Sequence, residues 1–423
     1  MKEKIRNIIK KLNFEKTRNN KIIILTVGFI IVLIITLVGE KFFYPSHAQT
    51  PTANVSAKSG TITSPAQLQT DQNSSTVQIA QFGSIPSKLI GAYSGYENIT
   101  GIKAIGTQLG HPLTFVTAYL DYRDPTNGWG STGQAITAPG YFSNWQNLQS
   151  TNGTNFRMVW GLPMLPTVSL DPVTGTSSNC INSPSTCWTQ GANGDYNSYF
   201  KTVAQNLVKY GQANSIIRIG WEFNSKNFNG PNPWFASGYS AQFVPFWQNI
   251  VTTMRSVSGQ QFEFDWNPTI GSNTIPDFTN YYPGDSYVDT IGLDIYNNSW
   301  FTNPIGTPQS RWNVFLTEPQ GLNWFSTFGL QHKKSLSLPE WGLGWTNCSN
   351  GIGQVPGQSC PTGSTLNGSI SGGDDSYFVQ QVATYISTNN FIEAGVWSYG
   401  VQPLPGNTKS QSPNATVEFI KDF

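Results

Sequence analysis

The sequence predicts an α/β fold, a closed (β/α)8 TIM barrel, preceded by an N-terminal membrane segment and a disordered linker. Eight short runs rich in β-branched and aromatic residues alternate with amphipathic segments, and this pattern is typical of parallel βαβ units. The region from residue 86 to residue 423 has a length that suits one large barrel. A doubly wound open sheet is the alternative, but no Gly-x-Gly-x-x-Gly sequence follows the first strand.

The predicted elements follow one another through the whole of this region. The strands are residues 88–93, 113–120, 156–162, 216–222, 262–267, 287–296, 335–341 and 392–399. Amphipathic helices are predicted at residues 196–210, 240–257 and 376–388. In such a barrel, the side chains at the C-terminal ends of the strands form the functional face.

Residues 1–48 are predicted to be a basic leader with a signal peptide or a signal anchor. Residues 22–39 carry no charge, and nine Lys and Arg against three Asp and Glu lie in the chain up to Lys41. The basic flank should stay in the cytoplasm, so the rest of the chain is expected to be extracellular or on the cell surface. Ser46-His47-Ala48 fits a cleavage site, whereas the long basic leader favours an uncleaved membrane anchor, and both readings stay open.

Residues 49–85 are predicted to be a disordered linker, and residues 86–423 form the barrel domain. Twelve of the 37 linker residues are Ser or Thr, so this segment buries too little apolar surface to offset the entropy of ordering it. Beyond Lys41 the chain has 15 Lys and Arg against 20 Asp and Glu, which excludes a nucleic-acid partner. Few charges and 13% aromatic residues favour a neutral, ring-shaped ligand.

Four cysteines fit an exported protein with structural disulfides. Three pairings are possible, and the two local ones, Cys180 with Cys187 and Cys348 with Cys360, are the simplest. A zinc site is the alternative, but no histidine lies near either pair at the spacing that zinc ligands need. No metal and no other cofactor is predicted.

Two glutamates close predicted strands at the mouth of the barrel. Glu222 ends strand four and Glu340 ends strand seven, and strand alternation places Arg218 on the same face as Glu222 but deeper. Cleavage of a glycosidic bond needs such a pair: one protonated carboxyl gives its proton to the leaving oxygen, and the other attacks the anomeric carbon or activates water. The pattern alone does not assign the two roles.

The other carboxylates have structural interpretations. Glu263 and Asp265 lie on strand five, and the one that faces inward is a candidate partner of Arg218. Asp294 is predicted to be a buried hydrogen-bond acceptor, and Tyr296, two residues further along, is a candidate donor to the nucleophile.

Tryptophans in or beside the predicted strand ends form a candidate set of platforms for pyranose rings. Each of them alone is more often a core residue than a ligand platform. The set is Trp129, Trp160, Trp234, Trp266, Trp300, Trp345 and Trp397, of which Trp160, Trp266 and Trp397 stand at strand ends.

The run from Arg218 to Asn224, Arg-Ile-Gly-Trp-Glu-Phe-Asn, resembles the Arg-x-x-His-Glu-Met-Asn-Gly signature of glycoside hydrolase family 26. The run around Glu340 resembles the nucleophile strand of that family, and Trp397 resembles its strand-eight aromatic residue. Further similar runs are Trp266-Asn267-Pro268, Tyr282 to Asp289 and Gly292 to Asn297.

The resemblance implies a (β/α)8 retaining enzyme of the β-mannanase type. It implies that Glu222 is the acid/base, that Glu340 is the nucleophile, and that Tyr296 is the hydrogen-bond partner of the nucleophile. Trp221 stands where the family usually has His, so mannan specificity does not follow from the resemblance.

The sequence therefore predicts a monomeric, exported, retaining endo-glycosidase that acts on a β-linked polysaccharide such as mannan. The alternative is a non-catalytic carbohydrate-binding protein of the cell surface on a degenerate barrel. Trp221, which replaces the usual His of the family, is the observation that favours this alternative. A metal-dependent deacetylase or lyase would need a His/Asp ligand cluster, which the sequence does not offer.

Overall fold

The chain divides into two compact units, Met1–Gln81 and Phe82–Phe423. The computed structural model describes residues 66–70, 78–82, 89–124, 128–129, 136–171, 174–228, 230–271, 275–297, 307–343, 374–398, 404 and 412–423. Within the predicted linker, Ala66–Thr70 and Gln78–Phe82 form a two-stranded sheet that the sequence does not predict. The predicted leader lies outside the described residues. None of the helices in the described part combines the length and the apolar character that a membrane crossing requires.

The second unit contains a closed barrel of parallel strands, as predicted. Its strands are β1 (Ile90–Tyr93), β2 (Phe115–Tyr119), β3 (Arg157–Leu162), β4 (Ile216–Ile219), β5 (Glu263–Trp266), β6 in two segments (Thr290–Gly292 and Ile295–Asn297), β7 (Ser335–Leu343) and β8 (Phe391–Trp397). Each strand pairs in parallel with the next one along the chain, and β8 pairs with β1 to close the barrel.

Helices in the described residues surround the barrel and carry apolar faces that pack on its outer surface. They are α1 (Ile99–Leu109), α2 (Pro139–Asn152), α3 (Pro184–Asn193), α4 (Asn197–Lys209), α5 (Ser240–Arg255), α6 (Pro308–Thr317), α7 (Leu322–His332), α8 (Ser376–Thr388) and α9 (Pro413–Asp422). A 3-10 turn covers Phe278–Tyr281. Two short antiparallel ribbons are also present: one pairs Val168–Leu170 with Ser177–Asn179, and the other pairs Asn227–Phe228 with Gly230–Pro231. The helix predicted at residues 376–388 is observed with the same bounds as α8.

The interior of the barrel changes from apolar at its base to polar toward the C-terminal ends of the strands. Phe115, Val159 and Ile216 form a separate buried apolar cluster at the N-terminal ends. Since side chains alternate along a strand, Arg218 follows Ile216 on the inner face of β4, and Tyr119 follows Phe115 by two such steps on β2. The apolar cluster thus forms the floor on which the polar residues stand.

One disulfide ties the segment between β3 and α4 together. Cys180 and Cys187 form the predicted bond, with their Cα atoms 5.6 Å apart, and both residues are buried. Cys180 follows the ribbon strand Ser177–Asn179, and Cys187 lies in α3, so the bond joins the ribbon to the helix. The predicted partners Cys348 and Cys360 lie outside the described residues.

Replacing both Cys180 and Cys187 by Ser should lower the free energy of unfolding by about 2 kcal/mol, because the unfolded chain gains the entropy of one open loop. The barrel should still form, since the bond lies outside the strand ladder. Urea unfolding monitored by tryptophan fluorescence measures the change. An unchanged midpoint would show that the ribbon and the helix hold their positions without the bond.

Candidate active site

Three carboxylates meet at the C-terminal mouth of the barrel. Glu222 follows β4, Asp294 lies between the two segments of β6, and Glu340 lies in β7. One oxygen from each of the three lies within 4.8 Å of the others. The two glutamates that the sequence singles out therefore face each other across the mouth, although 118 positions separate their numbers.

Glu340 is held by three donors. Tyr296 donates its hydroxyl proton to Oε2 at 2.7 Å, and Tyr119 donates to Oε1 at 2.5 Å. Arg218 Nη2 donates to the same Oε1 at 2.9 Å. A guanidinium and two hydroxyls thus fix the orientation of this carboxyl group, because each of its oxygens accepts from at least one of these donors.

The two tyrosines are fixed as donors. Burial, followed by the charge of Glu340, raises the pKa of both Tyr119 and Tyr296 well above the ordinary value, so both keep their protons. The Tyr119 hydroxyl also accepts from Arg218 Nη1 at 2.9 Å, which orients its own proton toward Glu340. The predicted contact of Tyr296 with the candidate nucleophile is present, whereas the contact of Tyr119 with Glu340 was not predicted.

Arg218 lies at the centre of the polar layer and has no exposed surface. Its Nη2 contacts Asp294 Oδ2 at 2.7 Å in addition to Glu340, and its Nε donates to Asn267 Oδ1 at 2.8 Å. Asn267 in turn donates to Asp294 Oδ1 at 3.1 Å. Asp294 is thus a buried acceptor, as predicted, and Arg218 bridges it to Glu340.

Glu222 reaches the mouth by a different route from the predicted one. The prediction that β4 extends to residue 222 is wrong: the strand ends at Ile219, and Gly220 and Glu222 adopt positive φ angles of 57° and 49°. A Cβ at Gly220 would stand 2.6 Å from the sulfur of Met164, so only glycine fits there. A left-handed Glu is strained, and the strain persists because the surrounding contacts fix the turn.

Those contacts come from the neighbouring loops. The Glu222 amide donates to the Asn267 carbonyl at 2.7 Å, and Trp234 Nε1 donates to the Trp221 carbonyl at 2.8 Å. Asn224 joins the same turn to the loop after β5: its side chain accepts from the Thr269 amide at 2.9 Å and donates to the Thr269 carbonyl at 2.8 Å. Asn224, a candidate site residue from sequence, therefore supports the turn that aims Glu222.

The environment of Glu222 favours its protonated form. Burial, followed by the charge of Glu340, raises the pKa of Glu222 to about 8. Glu222 therefore carries a proton at neutral pH, while Glu340, facing it, accepts three hydrogen bonds. The site holds an acid and a carboxylate that differ because of their neighbours and not because of their chemistry.

Aromatic rings line one side of the mouth. Trp397, half-buried at the end of β8, lies 4.4 Å from Tyr93 between ring centroids, and Tyr93 lies 5.1 Å from Tyr119. Trp221 continues this wall at 5.2 Å from Tyr119. Trp397 thus lies in the mouth as predicted, and Tyr93 is a member of the wall that the sequence analysis missed; its place at the end of β1 was the available signal.

The prediction that Trp160 and Trp266 line the mouth is wrong. Trp160 is buried outside the barrel against Tyr141 and Phe142 of α2, with centroids 5.3 and 5.2 Å away. Trp266 is likewise buried and packs against Phe328 of α7 at 5.7 Å. Strand alternation explains both positions, because the inward residues beside them are Gly161 on β3 and Asp265 on β5.

Of the other predicted platforms, the two that the structure describes expose no ring face to a ligand. Trp129 and Trp234 are fully buried. Trp300 and Trp345 lie outside the described residues.

Two further carboxyl groups lie deeper in the barrel. Asp265 accepts from the Ser337 hydroxyl at 2.8 Å, and Glu393, which pairs in register with Ser337, has no exposed surface. The nitrogens of Arg218 contact other groups, so the predicted ion pair of an inward strand-five carboxylate with Arg218 is replaced by the Ser337 contact. Glu263 instead pairs with Arg157 at 3.2 Å.

The group of Glu222, Asp294 and Glu340 is also where a metal ion would find three carboxylates within the described residues. Arg218 already contacts two of the three, at 2.7 and 2.9 Å. The positive charge at this position therefore comes from a side chain of the chain itself.

Comparisons with known proteins find a family model and solved structures that are similar to this chain. The sequence model described as glycosyl hydrolase family 26 matches residues 192–321, which confirms the predicted resemblance. The fold is similar to a GH26 β-mannanase from Bacteroides ovatus, with 16% identity and a TM-score of 0.49 over 78% of this chain and 87% of that one. It is similar to the catalytic domain of a GH26 endo-β-1,4-mannanase from Bacillus sp. JAMB-750, with 16% identity and a TM-score of 0.49 over 79% and 86%. A comparison with curated proteins gives no match.

Asp265→Asn should change how stability depends on pH. Burial raises the pKa of Asp265 to about 7, whereas an unfolded Asp titrates at about 3.9, so the folded chain binds the extra proton between these values. The free energy of unfolding therefore falls as pH rises through this window, by at most about 1.4 kcal/mol per pH unit from this group. Asn keeps the partner for Ser337 and removes the titration.

Urea unfolding of wild type and Asp265→Asn at several pH values between 4 and 8 measures the difference. The variant should gain stability relative to wild type as pH rises, and the gain should level off above pH 7. Parallel curves for the two proteins would show that Asp265 does not hold a proton in the folded state.

Proposed function

We propose that this chain, a divergent glycosidase of the family 26 type, is a retaining endo-enzyme that cleaves a β-linked polysaccharide such as mannan. The observation that carries the proposal is the approach of a Glu222 oxygen and a Glu340 oxygen to within 4.8 Å. Retaining glycosidases have carboxyl groups roughly 5–5.5 Å apart, whereas inverting enzymes need about 6.5–9.5 Å to admit a water molecule. The observed approach supports double displacement with retention.

In the first step, Glu340 attacks the anomeric carbon and forms a glycosyl ester. The bond from that carbon to the leaving oxygen breaks, and the oxygen takes the proton of Glu222. In the second step, Glu222, now ionised, removes a proton from water, and the water oxygen bonds to the anomeric carbon. Glu340 leaves as a carboxylate, and the anomeric configuration is that of the substrate.

The surrounding residues support both steps. Tyr296, Tyr119 and Arg218 hold the Glu340 carboxylate in one orientation before attack and receive it again after hydrolysis. When Glu340 becomes an ester, it loses its charge, and Arg218 keeps its contact with Asp294. This loss of charge should also lower the pKa of Glu222, which suits the change of Glu222 from acid to base.

The family match supports mannan as the first substrate to examine. Trp221 presents an apolar ring beside the acid/base where the family has an imidazole, so other β-linked polysaccharides belong in the same assay. The apolar segment at residues 22–39 supports an exported enzyme, either secreted or anchored at the cell surface.

Glu222→Ala and Glu340→Ala should each abolish hydrolysis of the polysaccharide that wild type cleaves best. Loss of a general acid costs about 10²–10⁴-fold in rate, and loss of the nucleophile costs at least as much. The assay is reducing-sugar release from mannan, xylans, mixed-linkage glucans and arabinans by the full chain. Glu418→Ala removes a carboxyl group of α9 that pairs with Lys421, and as the matched control it should keep the wild-type rate.

The stereochemical course provides an independent check. Proton NMR should show that the first product of wild type has the starting configuration, and net inversion would contradict the assigned nucleophile. Wild-type-like rates in either glutamate variant would end the assignment. Binding of oligosaccharides by wild type without turnover of any substrate would instead favour the non-catalytic carbohydrate-binding protein.

The pH profile should report the proton on Glu222. Since the pKa of Glu222 is raised to about 8, kcat/KM of wild type should fall as pH rises past that value, when the general acid is lost. An aryl glycoside with a good leaving group needs little protonation, so kcat for its first step should stay level over the same range. If the rate of Glu222→Ala on the aryl glycoside also falls near pH 8, the titration belongs to another group.

A further inference from the structure

The loop after β1 presents an aromatic side chain to solvent at the mouth of the barrel. Tyr96 is 52% exposed, and it is the one aromatic residue among the exposed large apolar side chains of the described part. The others, Leu330, Val417 and Ile420, lie in the helices α7 and α9. Single exposed apolar side chains on surface helices are common, whereas an exposed aromatic ring on the functional face of a barrel is a candidate ligand contact.

One face of the Tyr96 ring is supported, and the other is open. The ring stacks on Tyr141 of α2 with centroids 5.2 Å apart and planes inclined by 20°. Tyr141 itself is buried, so it serves as a fixed base for the exposed ring. Because stacking covers only one face, the exposed half of the residue belongs to the opposite face and the edge.

The loop that carries the ring is held in a single conformation. Glu97 adopts a left-handed φ of 47°, which costs free energy for a residue with a Cβ and persists only where contacts determine it. Asn98 donates to the Ser94 carbonyl at 2.8 Å, and Asn144 of α2 donates to the Glu97 carboxylate at 3.1 Å. The position of Tyr96 is therefore preorganised and costs little to order on binding.

The ring lies on the loop that follows β1, on the same face of the barrel as the catalytic carboxylates. Tyr96 follows Tyr93 by three residues, a span of at most about 11 Å of chain. The Tyr93 ring contacts Tyr119 and Trp397, and the Tyr119 hydroxyl donates to Glu340. The short chain between Tyr93 and Tyr96 thus limits how far the Tyr96 ring can lie from the aromatic wall of the mouth.

The polar groups beside the ring suit a neutral sugar. The Glu97 carboxylate and the Asn144 amide are planar groups that retain further hydrogen-bonding capacity after their mutual contact. A pyranose ring has an apolar face for an aromatic platform and hydroxyls at its edge for planar polar groups.

We infer that Tyr96, flanked by Glu97 and Asn144, is a distal sugar-binding subsite that stacks one pyranose ring of the polysaccharide a few residues from the cleaved bond. This inference rests on the proposed function, because it takes its ligand from that function. The subsite binds chain that does not react, so its contribution grows with substrate length and is absent from substrates too short to reach it.

The experiment compares wild type, Tyr96→Ala and Tyr96→Phe as full chains on a length series of β-1,4-manno-oligosaccharides and on mannan. If the panel identifies another polysaccharide, its own oligosaccharides replace these. Tyr96→Ala should lower kcat/KM about three- to tenfold on the long substrates, mainly through KM, and should leave an aryl glycoside unaffected. Tyr96→Phe keeps the ring and should behave as wild type. Leu330→Ala removes an apolar side chain from α7 that is 80% exposed, and it is the control for the loss of an exposed apolar group.

A binding measurement separates failure of the subsite from failure of the proposed function. The same oligosaccharides are titrated calorimetrically into Glu340→Ala and into Glu340→Ala combined with Tyr96→Ala. Weaker binding of the long members alone supports the subsite, even if wild type hydrolyses nothing and the proposed function falls. Equal kcat/KM and equal affinity with and without the Tyr96 ring, or an equal loss on short and long substrates, would overturn the inference.

Discussion

The buried guanidinium of Arg218 is the constraint on which the site depends. Arg218 is the only basic side chain among the buried residues of the described part, and it contacts both Asp294 and Glu340. Two carboxylates taken out of water carry a large desolvation cost, which only a close cation and additional hydrogen bonds can offset. Asn267, Tyr119 and Tyr296 supply those hydrogen bonds. Without the guanidinium, the barrel would hold two uncompensated anions at its mouth.

The same charge distribution separates the roles of the two glutamates. Glu340 accepts from the guanidinium and from two tyrosine hydroxyls, whereas burial and the charge of Glu340 raise the pKa of Glu222. The turn that follows β4 contributes to this difference, because it lifts Glu222 off the strand ladder, while the guanidinium of Arg218 donates to Glu340. A strained backbone at Glu222 is thus linked directly to the difference between acid and nucleophile.

The aromatic residues form two populations with different purposes. Trp160 and Trp266 face outward and fill the layer between barrel and helices, where their area stabilises the fold. Tyr93, Tyr119 and Trp397 face inward at the mouth and present rings beside the carboxylates. Both populations come from strands of the barrel, and the side of the strand on which a residue falls decides to which population it belongs.

The order of residues is enough to predict the fold class and to single out Glu222 and Glu340, because strand–helix alternation and residue type are local properties of the chain. Alternation along β3 and β5 also predicts that Trp160 and Trp266 point outward, whereas their position near a strand end does not. Three features follow only from the three-dimensional arrangement: Tyr119 of β2 donates to Glu340 of β7, β4 stops at Ile219, and Glu222 is the glutamate that keeps its proton. These features depend on distances between strands that are far apart in the chain. The pKa of a carboxyl group is likewise set by the groups around it in space, and the order of residues along the chain does not specify those neighbours.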